Sequence, residues 1–448
     1  MGRRAHARTL NLWMNGARVG TWRMAPHSPD TLQYDPNWVQ SREGRPLSLS
    51  LPFTPGNAPH RGERVRHYFD NLLPDSPDIR ARLARRYQAT STDAFDVLAQ
   101  AGQECVGALQ ILPDGASPPV LASLQTRRLS NSEVADVLRH ATSATAPGFM
   151  EDDDFRISIA GAQEKTALLK LDGQWCMPQG ATPTTHILKL PLGLVGGMGL
   201  DLRESVENEW LCSQILAAYG LPVAHCEPVQ FEDAKALAVE RFDRMWWIAP
   251  DGQRHLIRLP QEDLCQATAT SPEQKYEAQG GPGIDRIMSV LAGSMTPEAD
   301  KRTFFTTQVL FWMLCAPDGH AKNFSLFIRP GGRYQLTPLY DVISAYPILG
   351  NGPNQISPFK VKLAMAVRGR NAHWKMNDIQ RRHWVALGTR HGVVTADGQP
   401  VEALLDDLVA RTPAVIDQVR RRLPAGYPQT LADSILLGLA RASERLGA

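Results

Sequence analysis

Between Phe304 and Asp341 the chain sets out its chemistry in an order that few folds accept. Phe304 to Leu314 is an apolar run with the length of a buried helix. It leads into Asp318-Gly319-His320-Ala321-Lys322-Asn323, a carboxylate followed five positions later by a carboxamide. Phe324 to Ile328 then reads as a short strand, Arg329-Pro330-Gly331-Gly332 as a turn, and Tyr334 to Tyr340 as a second strand that delivers Asp341. Asp-x-x-x-x-Asn is the spacing of phosphoryl-transfer loops, in which the Asp orients or deprotonates the acceptor hydroxyl and the Asn holds Mg²⁺. Asp341 is placed to supply a second metal-binding oxygen. Asp-Gly by itself is a common turn. The helix, loop, hairpin and acid around it are the order of a kinase C-lobe.

The phosphate side of such a site should lie upstream. Phe155 to Ile159 reads as a strand, Ala160-Gly161-Ala162-Gln163-Glu164-Lys165 as a polar, small-residue loop, and Thr166 to Leu171 as the returning strand, with a turn at Asp172-Gly173. Strand, loop and strand can lay backbone N–H groups over phosphates. Lys165-Thr166 mimics the end of a Walker loop. Glu164 stands where that loop needs glycine, and a strand follows where it needs a helix, so that reading fails. His186 to Leu190 is a strand carrying Lys189, read as a partner for nucleotide phosphates. Glu204 to Ala218 is helical, with Val206, Trp210, Ile215 and Leu216 as core positions; Glu207 and Glu209 are both open as the acid that pairs with the lysine. Leu237 to Phe242 is a strand whose end, Glu240-Arg241-Phe242, falls where a hinge would meet adenine.

The rest of the chain frames this. Its 448 residues allow two to four domains, and 43% hydrophobic with 21% charged residues are the proportions of a soluble globular protein. A net charge of +2 demands no polyanionic partner. Six scattered cysteines without a Cys-x-x-Cys pair point to reduced thiols in a cytoplasmic protein rather than to zinc or disulfides. The basic start (Arg3, Arg4, Arg8) lacks the apolar core of a signal peptide, and no stretch suits a membrane span. Residues 9–24 read as a hairpin about Asn15-Gly16, and Pro46 to Phe53 as a strand. Asp70 to Arg86 is helix-prone, broken by Pro74 and Pro77; its Arg80, Arg82, Arg85 and Arg86 are taken as a solvated face before a nucleic-acid surface. Pro113 to Pro119 is a turn-rich joint, and Ser130 to Ala141 a helix. Ala144 to Asp154, ending in four consecutive acids, marks a boundary. The expected division is an N-terminal α/β subdomain (1–147), an N-lobe (148–250) and a C-lobe, mainly helical from Leu264 onward (251–448). From Lys360 to Arg390 there are eight Lys or Arg and one acid, Asp378, with Trp374 and Trp384 interleaved. A nucleic-acid surface and a solvated face with core tryptophans compete for that segment.

Together, Ile157 to Thr166, Thr185 to Pro191, Glu240 to Arg244, Arg258 to Asp263, Asp318 to Ser325 and Tyr340-Asp341 resemble the HipA family, toxin kinases of bacterial type II toxin–antitoxin modules. Asp70 to Pro77 also looks familial, so the likeness runs over nearly the whole chain. The resemblance implies an α+β, atypical two-lobed kinase fold and a Ser/Thr protein kinase that uses ATP and Mg²⁺. It implies Asp318 as catalytic acid/base and Asn323 and Asp341 as metal ligands. Lys189, His320, Lys322 and the loop Ala160 to Lys165 are implied on the nucleotide, with Glu240 to Phe242 as its hinge. Ser158 matches the serine whose autophosphorylation inactivates such kinases. The implied partners are a HipB-like helix-turn-helix antitoxin, operator DNA bound through it, and an aminoacyl-tRNA synthetase, often the glutamyl enzyme, as substrate. Two rival functions are a small-molecule phosphotransferase and a DNA-bound corepressor with a vestigial kinase site. The first does not need the N-terminal 150 residues, and the second should have lost one of Asp318, Asn323, Asp341 or Lys189, all of which are present.

Overall fold

Asn15 and Gly16 both take positive φ, 46° and 84°, as a type I′ turn demands, and close Arg8–Met14 onto Ala17–Met24. In the computed structural model, which describes residues 7–116, 124–142, 163–197, 199–250 and 252–448, this hairpin is the middle of an antiparallel N-terminal sheet. Its strands run in the order His60–Arg61, Thr31–Tyr34, Ala17–Met24, Arg8–Met14, Leu109–Pro113. Leu10, Leu12 and Met14 alternate inward, and Trp22 stacks on Phe69 with ring centroids 3.8 Å apart. The Asp70–Arg86 stretch is split as its prolines require: one helix ends at Asp70, and the next, Pro77–Arg86, starts with Ser76 as its cap. Pro46 to Phe53 is not a strand, which corrects the sequence expectation. Its backbone is held by side chains instead. Tyr34 Oη accepts from Leu47 N–H at 2.8 Å and donates to the Leu51 carbonyl at 2.6 Å.

Among the described residues a six-stranded antiparallel sheet forms the N-lobe, ordered Cys226–Phe231, Ala234–Glu240, His186–Lys189, Lys165–Leu171, Gln174–Pro178, Thr126–Arg128. Helix Asn131–Thr142 packs on it through Val134, Ala135 and Leu138. The lobe therefore takes in residues from Thr126 onward, ahead of position 148, where the sequence suggested it would start. The expected boundary at 144–154 and the strand at 155–159 lie outside the described residues. On the other side of the sheet helix Ser205–Ala218 buries Val206, Trp210, Ile215 and Leu216, the four expected core positions, in the large C-lobe cluster.

Helix Pro297–Met313 runs through the middle of that cluster. Pro297 at its first turn with Glu298 and Asp300 suits a helix N-terminus, and from Phe304 onward every residue is buried. A helix apolar on all sides needs neighbours on all sides. Here they include Gln429–Gly447, which packs in turn on Val401–Arg420, and all three helices contribute to the same core. The hairpin after the Asp318–Asn323 loop is Ser325–Ile328 with Tyr334–Leu336, and Gln261–Asp263 joins it as a third strand. The second strand ends four residues short of Tyr340, because Pro338 has no N–H to donate. A further hairpin, Lys362–Arg368 with Ala372–Lys375, lies in the segment expected to be helical.

Candidate active site

Three strands and a helix converge on one buried lysine. Lys189 is the last residue of His186–Lys189, opposite Lys165 across one strand pair and Leu237 across the other. Its Nζ lies 2.6 Å from Glu209 Oε1 and 2.6 Å from Asp341 Oδ1. Glu209 is thus the helix acid; Glu207 points away and holds Lys235 at 2.8 Å. Burial works against the Lys189 ammonium, but Asp341 and Glu209 more than offset it and hold the group well above the usual lysine range. Burial also works against ionisation of Asp341. Lys189 and Lys165 outweigh it and keep that carboxyl well below the usual carboxylate range. At Glu209 burial prevails and proton affinity rises. Lys165 faces the same acid, yet burial, reinforced by the like charge of Lys189, pushes its ammonium down to about 8.

The Asp318–Asn323 loop closes on itself beside this group. His320 N–H donates to the Asp318 carbonyl at 2.8 Å and Asn323 N–H to the His320 carbonyl at 2.9 Å. The Asn323 amide nitrogen donates to the carbonyls of Asp318 (3.1 Å) and Asp341 (3.2 Å), so it ties the two acid-bearing turns together. Asp341 sits at φ 63°, in the left-handed region. Gly319 is required by contact: a Cβ there would come within 2.3 Å of the Phe311 ring on the central helix. Asp318 is 59% exposed and accepts a hydrogen bond from Tyr276 Oη. His320 is buried beside it, and burial lowers its proton affinity despite the nearby Asp318.

Asp318, Asn323, Asp341, Lys189 and Lys165 therefore meet at one place. Gln163 and Glu164 border it: Gln163 Nε2 donates to the Leu190 carbonyl at 2.6 Å, and Glu164 is paired with Arg82 of helix Pro77–Arg86. Ala160, Gly161, Ala162 and Ser158 lie outside the described residues. Two side chains expected on the nucleotide are engaged elsewhere, which corrects that expectation for them. Lys322 Nζ is buried against Asn71 Oδ1 (2.8 Å), Asp263 (3.3 Å) and Asp75 (3.5 Å). The Arg241 guanidinium is buried on Asp243 (2.7 Å) and Glu104 (3.2 Å). In the hinge stretch the N–H groups of Glu240 and Arg241 already donate to His225 and Thr185 carbonyls, each at 2.8 Å. Phe242 places its ring 5.7 Å from Tyr340, next to Asp341.

In the basic segment Trp384 is a core residue, and Arg368, Arg381 and Arg390 are paired with Glu277, Asp406 and Asp285. Lys360, Lys362, Arg370, Lys375 and Arg382 are exposed and form no ion pair among the described residues. Tyr276, Glu104 and Lys275 were missed in the sequence. The only signal for the first was the glycine cluster Gly280-Gly281-Pro282-Gly283 behind it.

The donor set fits Mg²⁺. With its amide nitrogen tied to two carbonyls, Asn323 has its Oδ1 without a partner among the described residues, beside the ionised Asp341. One carboxylate and one amide oxygen are what a magnesium ion shared with phosphates and water needs. Among the described residues no cluster of His, Cys, Asp and Glu could hold a metal on its own, and no helix is long and apolar enough to cross a membrane.

Residues 157–416 match the family described as HipA-like C-terminal domain, and residues 10–112 the HipA N-terminal domain. Y4mE of Sinorhizobium fredii, which carries a kinase name, is 32% identical over 76% of this chain and 79% of its own. The serine/threonine-protein kinase toxin HipA of Shewanella oneidensis is 27% identical over 75% of this chain and 73% of its own. A solved Shewanella complex of HipA, HipB and operator DNA contains a chain that superimposes with a TM-score of 0.76 and 25% identity, covering 97% of both.

Proposed function

We propose a function on one premise: the chain belongs to the HipA family of kinases. It transfers the γ-phosphoryl group of ATP to a serine or threonine hydroxyl of a protein and acts as a toxin. The observation that carries this is the Lys189 ammonium, 2.6 Å from both Glu209 and Asp341, beside the Asp318–Asn323 loop. Lys189 and Lys165 hold phosphate oxygens, and Phe242 and its backbone border the adenine. Asp318 accepts the proton of the acceptor hydroxyl as its oxygen bonds to the γ-phosphorus and ADP departs. Bound at Asn323 and Asp341, Mg²⁺ supplies charge neutralisation on the phosphates.

The family likeness supports the finer parts of the proposal. The acceptor is an aminoacyl-tRNA synthetase, the glutamyl enzyme first. Phosphorylation of Ser158 adds about −1.5 to −2 charge and switches the enzyme off. A HipB-like antitoxin restrains the kinase and brings it to operator DNA, a reading supported by the Shewanella complex. The exposed Lys360, Lys362, Arg370, Lys375 and Arg382 are this chain's cations for DNA phosphates.

The test is transfer of labelled phosphate from ATP to proteins of a cell lysate, by the wild type and by Asp318→Ala. Loss of the base should cost about 10²–10⁴-fold. Asn323→Ala and Asp341→Ala should be rescued in part by added Mg²⁺ or Mn²⁺, while Asp318→Ala should not. Full activity of Asp318→Ala overturns the assignment.

A further inference from the structure

The one described side chain that hydrogen-bonds the Asp318 carboxylate comes from outside the Asp318–Asn323 loop, from a strap at residues 274–283. The strap is fastened on both sides of Tyr276. Lys275 Nζ pairs with Asp75 of the N-terminal domain at 2.9 Å, and the Lys275 carbonyl accepts from Ala321 N–H at 3.4 Å. Glu277 accepts from Ala366 N–H at 2.6 Å and from Arg368 Nε at 2.9 Å, both on strand Lys362–Arg368. The Tyr276 carbonyl accepts from Gln279 and Gly281 N–H, each at 3.0 Å. Gly281 and Gly283 let the strap fold back on itself: a Cβ would come within 2.0 Å of the Gln274 carbonyl oxygen at the first and 2.4 Å of the Glu277 carboxyl carbon at the second. Between these anchors the Tyr276 ring packs edge-on to His320, 5.0 Å between centroids at 85°.

The phenol donates to Asp318 Oδ1. His320 Nε2 is 3.9 Å from that same oxygen, too far for a hydrogen bond. Oδ2 accepts from no described residue. We propose that Tyr276 is a positioning residue for Asp318: it fixes Oδ1 from behind, and so presents Oδ2 to the acceptor hydroxyl, a role that rests on the kinase reading above. Burial, and then the charge of Asp318, push ionisation of the Tyr276 phenol far above its usual range. It therefore stays a donor throughout the working pH range. The competing account is a half-buried tyrosine that merely finds a partner, in which case its hydroxyl would not matter for turnover.

Tyr276→Phe decides between them, because it keeps the ring against His320 and removes only the hydroxyl. Steady-state kcat, KM for ATP, equilibrium ATP affinity and the melting midpoint should be measured beside the wild type. The expected result is kcat lower by about 10–100-fold, the cost of a misplaced reacting group, with KM, ATP affinity and melting midpoint unchanged. An unchanged kcat overturns the proposal. So does a raised kcat, which would make the contact a restraint, and so does a fall in ATP affinity or melting midpoint that matches the loss of rate. An inactive wild type is a different failure: it removes the kinase reading, and this role with it.

Discussion

Lys165, read in the sequence as the end of the phosphate loop, and Lys189, read in a strand, stand opposite each other on neighbouring strands, but their surroundings divide their tasks. Lys189 has two carboxyl groups at 2.6 Å, and their influence outweighs burial and holds its ammonium well above the usual lysine range. Lys165 is buried near that cation and titrates at about 8. A nucleotide phosphate would favour its charged form, so the bound-state pKa must exceed the free one. ATP affinity should then be flat below pH 8 and fall as pH rises above it, by at most about tenfold per pH unit. The terminal phosphate of ATP, with a pKa of about 6, is already ionised there and adds no slope. Lys165→Met should bind more weakly and lose the pH dependence; an equal slope in wild type and variant, measured by titration calorimetry from pH 7.5 to 9.5, would sink the assignment. Lys189 was legible as a phosphate candidate from its strand, and Lys165 only as the last residue of the expected phosphate loop. Their difference was not, because it is made by Asp341 and Glu209, which are remote in sequence.

At the scale of elements, the order helix, loop, hairpin and acid was legible because each piece has its own local signal: an apolar run, Asp-Gly, Gly-Gly, a β-branched or aromatic strand. The choice between Glu207 and Glu209 was not. Helix Ser205–Ala218 is packed on nearly every side, so periodicity marks no single face. Only the strand across from it selects Glu209. Gly319 likewise reads as turn chemistry in the sequence, and the structure gives it a second reason. The loop backbone lies so close to helix Pro297–Met313 that a methyl group meets the buried Phe311 ring at 2.3 Å. Gly319→Ala must therefore shift either the core ring or the loop that carries Asp318. Overpacking of this kind costs about 1–3 kcal/mol, and the loop is the softer partner. We expect phosphoryl transfer to drop by at least tenfold, with a melting midpoint lower by about 2–4 °C for each kcal/mol of that cost. Wild-type turnover in that variant would mean the loop tolerates displacement.

At the scale of the whole molecule, the motifs most visible in the sequence prove to have two different uses. Some line the candidate active site. Others, Asp70 to Pro77, Arg241 to Arg244 and Arg258 to Asp263, fasten the N-terminal domain to the kinase lobes. Nothing local distinguishes the two, since both are runs of charged and polar residues, and the fastening partners are remote in sequence. Glu104, with a side chain 3% exposed, is the centre of one fastening. Its Oε1 takes Arg244 at 2.8 Å and Arg241 at 3.2 Å, and its Oε2 takes Arg258 Nε at 2.9 Å. Asp243 adds a second acid and accepts from Gly107 N–H at 2.7 Å. Three guanidinium groups against two carboxylates leave one net positive charge buried. Burial opposes ionisation of Glu104, and the three arginines overcome it, so its carboxyl stays far below the usual range. Glu104→Ala would leave two uncompensated charges between the domain and the N-lobe, a change that typically costs about 3–5 kcal/mol. The expected result is a lower melting midpoint, and limited proteolysis that frees the N-terminal domain near residue 116 before the kinase lobes are cut. If the domain were only tethered, both the midpoint and the cleavage pattern would match those of the wild type.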